Sequence, residues 1–241
     1  MDEPPQLSVV IPAYNEARRI ERSLAETLRY LATRGQSSEI VVVDDGSKDH
    51  TAEIVEEYAA TRPEVRIVRL PVNRGKGAAI RAGVAVTRGS RVLVMDADLA
   101  TPIEELALLE PALETGAEIV TASRAVGTSD VRRSQSPVRV LLGRLGNLWI
   151  RGWAVPGILD TQCGFKLFSG DVARDLYSRC HEDRFGIDIE VLHLAHRLRH
   201  PIVEVGVRWE HQSGSKVRPR DYLDVLIRVP RIVWAARSVT R

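Results

Sequence analysis

The chain of 241 residues is 44% hydrophobic and 27% charged, enough for a proper core in one large or two small globular units, and its composition excludes disordered, collagen-like and disulfide-built scaffolds. Net charge is +2, but residues 1–120 carry 14 basic and 20 acidic side chains, a net of −6, whereas residues 121–241 carry 20 and 12, a net of +8. No run free of Asp, Glu, Lys and Arg approaches the roughly 20 residues of a membrane-spanning helix, so a bilayer-crossing protein is not expected.

The acidic half suits a bound cation, and the basic half suits a phosphate, a nucleic acid or a phospholipid surface. Met1 to Pro5 is acidic and then proline-rich, without the basic and apolar regions of a secretory signal, so a cytoplasmic location is expected. Two cysteines, Cys163 and Cys180, are too few for a disulfide framework and too isolated for a metal knuckle. Only four lysines stand beside thirty arginines, and Lys48, Lys76, Lys166 and Lys216 all fall in loop-like motifs.

In chain order, short apolar runs alternate with helical patterns, the signature of βα units and a mostly parallel sheet. Strands are expected at Leu7 to Ile11, Glu39 to Val43, Val65 to Leu70, Arg91 to Met95 and Glu118 to Ser123. Helices are expected between them, at Glu16 to Thr33, Thr51 to Thr61, Gly77 to Thr87 and Pro102 to Thr115. The last has Thr101 as a candidate N-cap, Pro102 at the first helical position and Glu104 to close a capping box. After Ser123 the alternation stops in a loop rich in Arg and Ser. A helix near Pro137 to Trp153, a turn at Pro156-Gly157, helices at Asp171 to Cys180 and Gly186 to His200, and a strand at Ile202 to Trp209 follow. The final segment, Asp221 to Ala236, mixes apolar residues with Arg228 and Arg231 and ends near Trp234.

Three polar clusters fall just after the first, second and fourth strands: Pro12-Ala13-Tyr14-Asn15-Glu16, Asp44-Asp45-Gly46-Ser47 and Asp96-Ala97-Asp98. The carboxyl ends of parallel strands are where open α/β sheets bind ligands. Asp96 and Asp98, one residue apart, suit a hard divalent cation that itself bridges phosphates, although acidic pairs also occur in ordinary turns. Asp44 and Asp45 equally suit an Asx-turn and a helix cap. Gly75-Lys76-Gly77 is no Walker A loop, and Ile80 stands where a dinucleotide fingerprint needs its third glycine.

The order Val-Val-Ile-Pro-Ala-Tyr-Asn-Glu (Val9 to Glu16), Val-Val-Asp-Asp-Gly-Ser-Lys-Asp-His-Thr (Val42 to Thr51), Asn-Arg-Gly-Lys-Gly (Asn73 to Gly77) and Asp-Ala-Asp (Asp96 to Asp98) resembles the inverting family 2 glycosyltransferases of the GT-A fold. The second half resembles the polyprenyl- and dolichyl-phosphate sugar synthases, glucosyl-type branch. The segments that carry this are Asp96 to Thr101, Ser123-Arg124, Asp-Thr-Gln-Cys-Gly-Phe-Lys-Leu-Phe (Asp160 to Phe168), Ile187 to Leu192 and Gly214 to Lys216. The resemblance implies a single α/β domain over residues 1–241 with a Rossmann-like, mostly parallel central sheet and helices on both faces. Residues 1–123 would be the nucleotide-sugar and metal half, and 124–241 the acceptor half.

By the same resemblance, Pro12, Ala13, Tyr14, Glu16, Asp44, Asp45, Lys76, Asp96, Ala97 and Asp98 would bind the donor nucleotide-sugar. Asp96 and Asp98 would hold Mg²⁺ or Mn²⁺, which neutralises the departing diphosphate. Asp98, Asp160 and Asp188 are the candidate catalytic carboxylates, the last two either orienting the acceptor, stabilising positive charge at the sugar carbon or being purely structural. Mannosyl relatives often place Gln where this chain has Ala100, so the implied donor is a UDP-sugar, glucose or an N-acetylhexosamine, with GDP-mannose as the alternative. The implied acceptor is polyprenyl phosphate, a soluble glycan being the rival. Such a phosphate is already ionised near neutral pH and needs positioning by cations more than a strong base. Arg124, Arg133, Arg139 and Lys166 are the candidates for that, with Arg132 beside them. Membrane contact would come from Val138 to Trp153, from the C-terminal segment or through a separate membrane protein partner, although both faces also suit core packing. Nucleic acid is not an expected partner, because the basic residues lack interleaved aromatics.

Overall fold

A computed structural model of the chain describes residues 3–132, 146–212 and 219–239. Arg133, Arg139, Lys216 and the first part of the helix expected from Pro137 lie outside the described residues. The elements are β1 (Leu7–Ala13), α1 (Ile20–Ala32), β2 (Ser38–Asp44), α2 (Thr51–Thr61), β3 (Val65–Arg69), α3 (Lys76–Ala85), β4 (Arg91–Val94), α4 (Leu106–Glu114), β5 (Ile119–Ser123) and β6 (Asp130–Arg132). Within the described residues a helix α5 covers 146–153. Then come β7 (Lys166–Ser169), α6 (Gly170–Arg179), α7 (Ile187–Arg197), β8 (Ile202–Gly206), β9 (Arg208–Glu210) and α8 (Pro219–Ala235).

Seven strands form the main sheet in the order β3-β2-β1-β4-β7-β5-β8, and β6 pairs with β9 in a small second sheet. All pairs in the main sheet are parallel except those of β7, which runs antiparallel to both β4 and β5. The parallel strands are apolar on both faces because helices cover both. On one face α1 lays Ile20, Leu24 and Leu31 with Val55 of α2 and Leu106 and Leu109 of α4 over Val9, Ile11, Val42 and Leu93. On the other, Ile80, Ile150, Leu176, Val191 and Val229, from α3, α5, α6, α7 and α8, cover Val10, Val92, Ile119 and Phe168. The period-two strand pattern thus feeds two cores from one sheet.

Four expectations change. The Ile202 to Trp209 strand is two strands, because the backbone changes partners at Val207: its N–H donates to Ser123 of β5, while its carbonyl accepts from Asp130 of β6. Helix α1 begins at Ile20 rather than Glu16, the chain turning first through Asn15 at φ 52°. Thr101 and Glu104 do not form a capping box: Pro102 is extended at ψ 148°, a short 3₁₀ turn over Ile103–Glu105 precedes α4, and no side chain caps either. Just before this extended stretch the Ala100 carbonyl accepts the Glu210 N–H at 2.8 Å, tying the chain to β9. Finally, β6 and β7 are strands that the sequence pattern does not announce.

Candidate active site

The carboxyl ends of β1, β2 and β4 lie side by side, with Ala13 level with Asp44, so the three polar clusters meet on one edge. The first two clusters are tied together by the backbone. Asn15 takes its left-handed turn, which Asn tolerates better than most residues, and its N–H donates to the Ser47 hydroxyl at 2.9 Å. In return the Lys48 N–H donates to Asn15 Oδ1 at 2.8 Å, and the Glu16 N–H donates to the Thr51 hydroxyl at 2.8 Å. Beside them opens a cleft of about 610 Å³ lined by Tyr14, Asp44, Ser47, Lys48, Pro71 and Asn73 among others. Pro12 and Ala13 form the end of β1 beneath this edge.

Asp44 and Asp45 are both buried, but they face different tasks. Among the described residues the Asp44 carboxylate accepts only a long contact from the Ser47 N–H at 3.3 Å, and it lines the cleft. Asp45 is spent on the protein itself. Its carboxylate takes the Asn73 amide, the Arg74 N–H and the Gly75 N–H, each at 2.8 Å, and so holds the loop leading into α3. Burial raises the Asp45 carboxyl above its usual range even though the two N–H groups pull the other way. Glu16 pairs with Arg19 at 2.6 Å.

Asp96 and Asp98 leave β4 on a strained turn in which Leu99 has φ 54°, a conformation rare for a branched side chain. That turn lets Asp98 Oδ1 accept the Ala100 N–H at 3.0 Å, while its other oxygen lies 3.8 Å from Arg19. Gly164 closes the far side. A Cβ there would come within 2.1 Å of Asp96 Oδ2, so any larger residue would displace the Asp96 carboxylate. The two carboxyls are driven apart: burial and the charge of Asp96 raise Asp98, whereas Lys76, with Lys166 and Arg124 more distant, outweighs burial and holds Asp96 low. Among the described residues no group of three His, Cys, Asp or Glu side chains converges for a metal. Asp96 and Asp98 are the two carboxylates that could hold a hard divalent ion, whose other ligands would be phosphate and water.

Both site lysines are engaged within the protein. Lys76 is a buried bridge, its Nζ 2.8 Å from Asp96 Oδ1 and 3.3 Å from Asp188 Oδ2. Lys166, expected at the acceptor phosphate, is turned inward with a side chain 1% exposed. Its ammonium donates to the Cys163 carbonyl and to Asp188 Oδ1 at 2.5 Å, because β7 carries it under the sheet edge. Asp188, at the start of α7, thus holds two ammonium groups at once. The second cysteine of the segment's surroundings, Cys180, is buried like Cys163, and both are free thiols raised by burial.

Arg124 and Asp160 form a two-pronged pair. Nε and Nη2 of Arg124 reach the two Asp160 oxygens at 2.6 and 2.8 Å, and the Arg124 N–H adds a third bond at 3.0 Å. The guanidinium also lies 5.5 Å from the ring centre of Trp209 on β9. Two residues outside the sequence expectations fix this segment. Glu204 of β8 accepts the Leu159 and Asp160 N–H groups at 2.6 and 2.8 Å. Asn147 of α5 donates to the Leu159 carbonyl and accepts the Thr161 hydroxyl at 2.9 Å. Gly164 was visible inside the Cys-Gly-Phe-Lys motif, but Glu204 and Asn147 carry no local signal.

Residues 8–176 match the family described as Glycosyl transferase family 2. The chain belongs to that glycosyltransferase family. The transferase is 40% identical over 239 residues to a dolichyl-phosphate beta-glucosyltransferase of Trichomonas vaginalis, covering 95% of this chain and 71% of that one. It is 38% identical to the Homo sapiens dolichyl-phosphate beta-glucosyltransferase, covering 89% of this chain and 70% of the relative. Among solved structures it is similar to glucosyl-3-phosphoglycerate synthase of Mycobacterium tuberculosis in complex with phosphoglyceric acid, at TM-score 0.71 and 23% identity, covering 98% and 81% of the two chains. The same synthase in complex with Mn²⁺, UDP-glucose and glycerol 3-phosphate superposes at TM-score 0.70 and 24% identity, covering 98% and 82%. These likenesses establish a GT-A glycosyltransferase fold.

Among its described residues the transferase has no helix long and apolar enough to cross a membrane. It does expose large apolar side chains on two neighbouring helices. Leu148, Trp149 and Trp153 stand out from α5 and Ile227 and Trp234 from α8, and the two helices meet at Gly146 and Leu226. Their opposite faces, through Ile150, Val225, Val229 and Ile232, are core. The core-packing reading thus holds for the buried faces, and the exposed faces are the ones a membrane contact would use.

Proposed function

We propose that the transferase moves glucose from UDP-glucose to a polyprenyl phosphate, with inversion and with one divalent cation. The observation that carries this reading is that the ends of β1, β2 and β4 bring the cleft beside Tyr14 and Asp44 and the Asp96 carboxylate to one sheet edge, with the Arg124 guanidinium near enough for its charge to act on Asp96. One end suits a nucleoside diphosphate and the other a phosphate nucleophile. The dolichyl-phosphate beta-glucosyltransferase relatives support glucose and a polyprenyl acceptor, and the Mn²⁺ and UDP-glucose bound to the fold neighbour support the donor and a divalent ion.

In this reading the base and ribose occupy the cleft beside Tyr14 and Asp44. Asp96 and Asp98 hold Mg²⁺ or Mn²⁺, which when bound offsets the charge that develops on the departing UDP. Arg124, oriented by Asp160, aims the acceptor phosphate with Nη1, the guanidinium nitrogen not committed to Asp160. A phosphate oxygen forms the bond to the anomeric carbon while the bond to the UDP oxygen breaks and its electron pair leaves with UDP. The acceptor phosphate loses its second proton near about pH 6, so no side chain needs to act as a strong base. Asp188 acts through Lys76 and Lys166 rather than on the acceptor. The apolar faces of α5 and α8 rest on the membrane that holds the lipid, peripherally and on its cytoplasmic side.

The test is to incubate the purified protein with Mn²⁺ or Mg²⁺, a short polyprenyl phosphate and each common UDP- and GDP-sugar, and to weigh the lipid products. A metal-dependent polyprenyl-phosphate hexose from UDP-glucose is expected. Transfer only to a water-soluble acceptor, or only from GDP-mannose, would overturn the assignment.

A further inference from the structure

Four charged side chains alternate in sign through the site: Asp96, Lys76, Asp188 and Lys166, linked at 2.8, 3.3 and 2.5 Å. The inner three are nearly closed off, with side-chain exposures of 15% for Lys76, 6% for Asp188 and 1% for Lys166, whereas Asp96 is 43% exposed. The chain of charges therefore ends at a carboxylate that solvent ions can reach. Its outermost cation, Lys76, already occupies one oxygen of that carboxylate.

We propose that Lys76 is an internal counter-ion which competes with the divalent cation for Asp96 and is drawn off by the donor diphosphate, so that one ammonium couples metal binding to nucleotide binding. The inference rests on the donor and metal reading above and deepens it. A divalent ion binds a carboxylate oxygen at about 2.0 to 2.6 Å, close to where the ammonium of Lys76 sits at 2.8 Å. Two cations on one carboxylate repel strongly when partly shielded from water. Metal entry without a compensating anion is thus opposed.

The local backbone makes this a side-chain movement only. Lys76 opens α3 between two glycines pressed against the Glu182–Asp183 backbone, where a Cβ would lie 2.5 Å from the Asp183 carbonyl at Gly75 and 2.2 Å from the Glu182 carbonyl at Gly77. Asp45 fixes the preceding turn through the Arg74 and Gly75 N–H groups. The flexible lysine stem is left as the moving part. Asn73, three residues upstream, lines the cleft, so a diphosphate leaving that cleft toward Asp96 passes within reach of the ammonium. Asp188 remains as a second anchor, already neutralised by Lys166, so Lys76 is held less tightly there than a lone pair would hold it.

The experiment is a Mn²⁺ titration of the purified chain by electron paramagnetic resonance without nucleotide, and a UDP titration by calorimetry without metal, on wild type, Lys76→Met and Lys76→Gln. Competition predicts opposite signs: Mn²⁺ alone binds about tenfold more tightly to the variants, and UDP alone about tenfold more weakly. The glutamine variant keeps a donor while removing the charge, so it reports on the charge if the methionine variant does not fold. If Mn²⁺ binds the folded variants equally or more weakly, Lys76 only orders Asp96 and the inference fails while the donor and metal reading stands. If wild type and variants bind neither Mn²⁺ nor UDP, that reading itself falls, and the inference with it.

Discussion

Replacing Asp160 by Asn tests whether the Arg124–Asp160 pair is the framework of the acceptor side. The carboxylate collects three bonds from Arg124, and its side chain is 8% exposed against 34% for the arginine. Removing one member of a buried pair costs about 3–5 kcal/mol. Here the stranded guanidinium is about a third open to water and retains Trp209, so the lower figure of about 2 kcal/mol is expected. In urea this is a midpoint lower by about 1 M for a slope near 2 kcal/mol per M. The pH dependence carries its own sign. Burial alone would raise Asp160, but Arg124 holds it below the usual range. Its contribution is therefore complete above the unfolded carboxyl value of about 3.9 and disappears as pH falls through the lower folded value. Wild type and Asp160→Asn should differ by a constant amount from neutral pH to about 5 and converge on further acidification. A midpoint change below about 0.3 M, or a gap that does not narrow in acid, would refute the argument.

Three further outcomes are expected. Gly164→Ala should push Asp96 aside and lower turnover by about a hundredfold with Mn²⁺ affinity reduced in parallel, read by kinetics and by paramagnetic titration. Asp45→Ala should release the Asn73 to Gly75 loop, raising KM for the sugar nucleotide by about tenfold while kcat changes less, because in the proposed reading the loop would position the donor rather than the reacting atoms. Trp149→Ser with Trp153→Ser should weaken sedimentation with anionic phospholipid vesicles by about tenfold with the melting temperature unchanged, since both side chains are exposed. Unaltered vesicle binding would move the membrane contact away from α5.

Strands β1 to β5 were legible to within a residue or two: β1, β2, β4 and β5 are largely apolar runs, as strands buried on both faces must be, and the edge strand β3 shows as Val and Ile interspersed with Arg. By contrast β7 is four residues long and begins with a lysine, whose charge is matched in the interior by the distant Asp188. No window along the chain contains that partner. Strands β6 and β9 are three residues each and exist through one another, so neither has a pattern of its own. In the site, the two metal-type carboxylates and Arg124 stood out by motif. The division of labour between Asp44 and Asp45 did not, because adjacent aspartates of identical composition differ only in which way the turn after β2 aims them. Lys76 and Lys166 lay in recognisable motifs, but their inward orientation follows from α7, which arrives late in the chain and places Asp188 between them.

The reversed strand β7 also bears on the order in which the molecule can assemble. Strand β4 borders β1 on one side, but its other edge is completed only by β7, which in turn supplies the partner for β5. A nascent chain that has emerged only as far as β5 carries every nucleotide-side strand yet has an open edge on β4 and a strand with nothing to pair against. Such edges are templates for wrong pairing until the later segment inserts. Because Gly164 and Lys166 travel with β7, the insertion that joins β4 to β5 also brings Gly164 against Asp96. The joining of the two parts of the sheet and the surroundings of Asp96 thus depend on one late segment, with β8 left to close the other edge of β5.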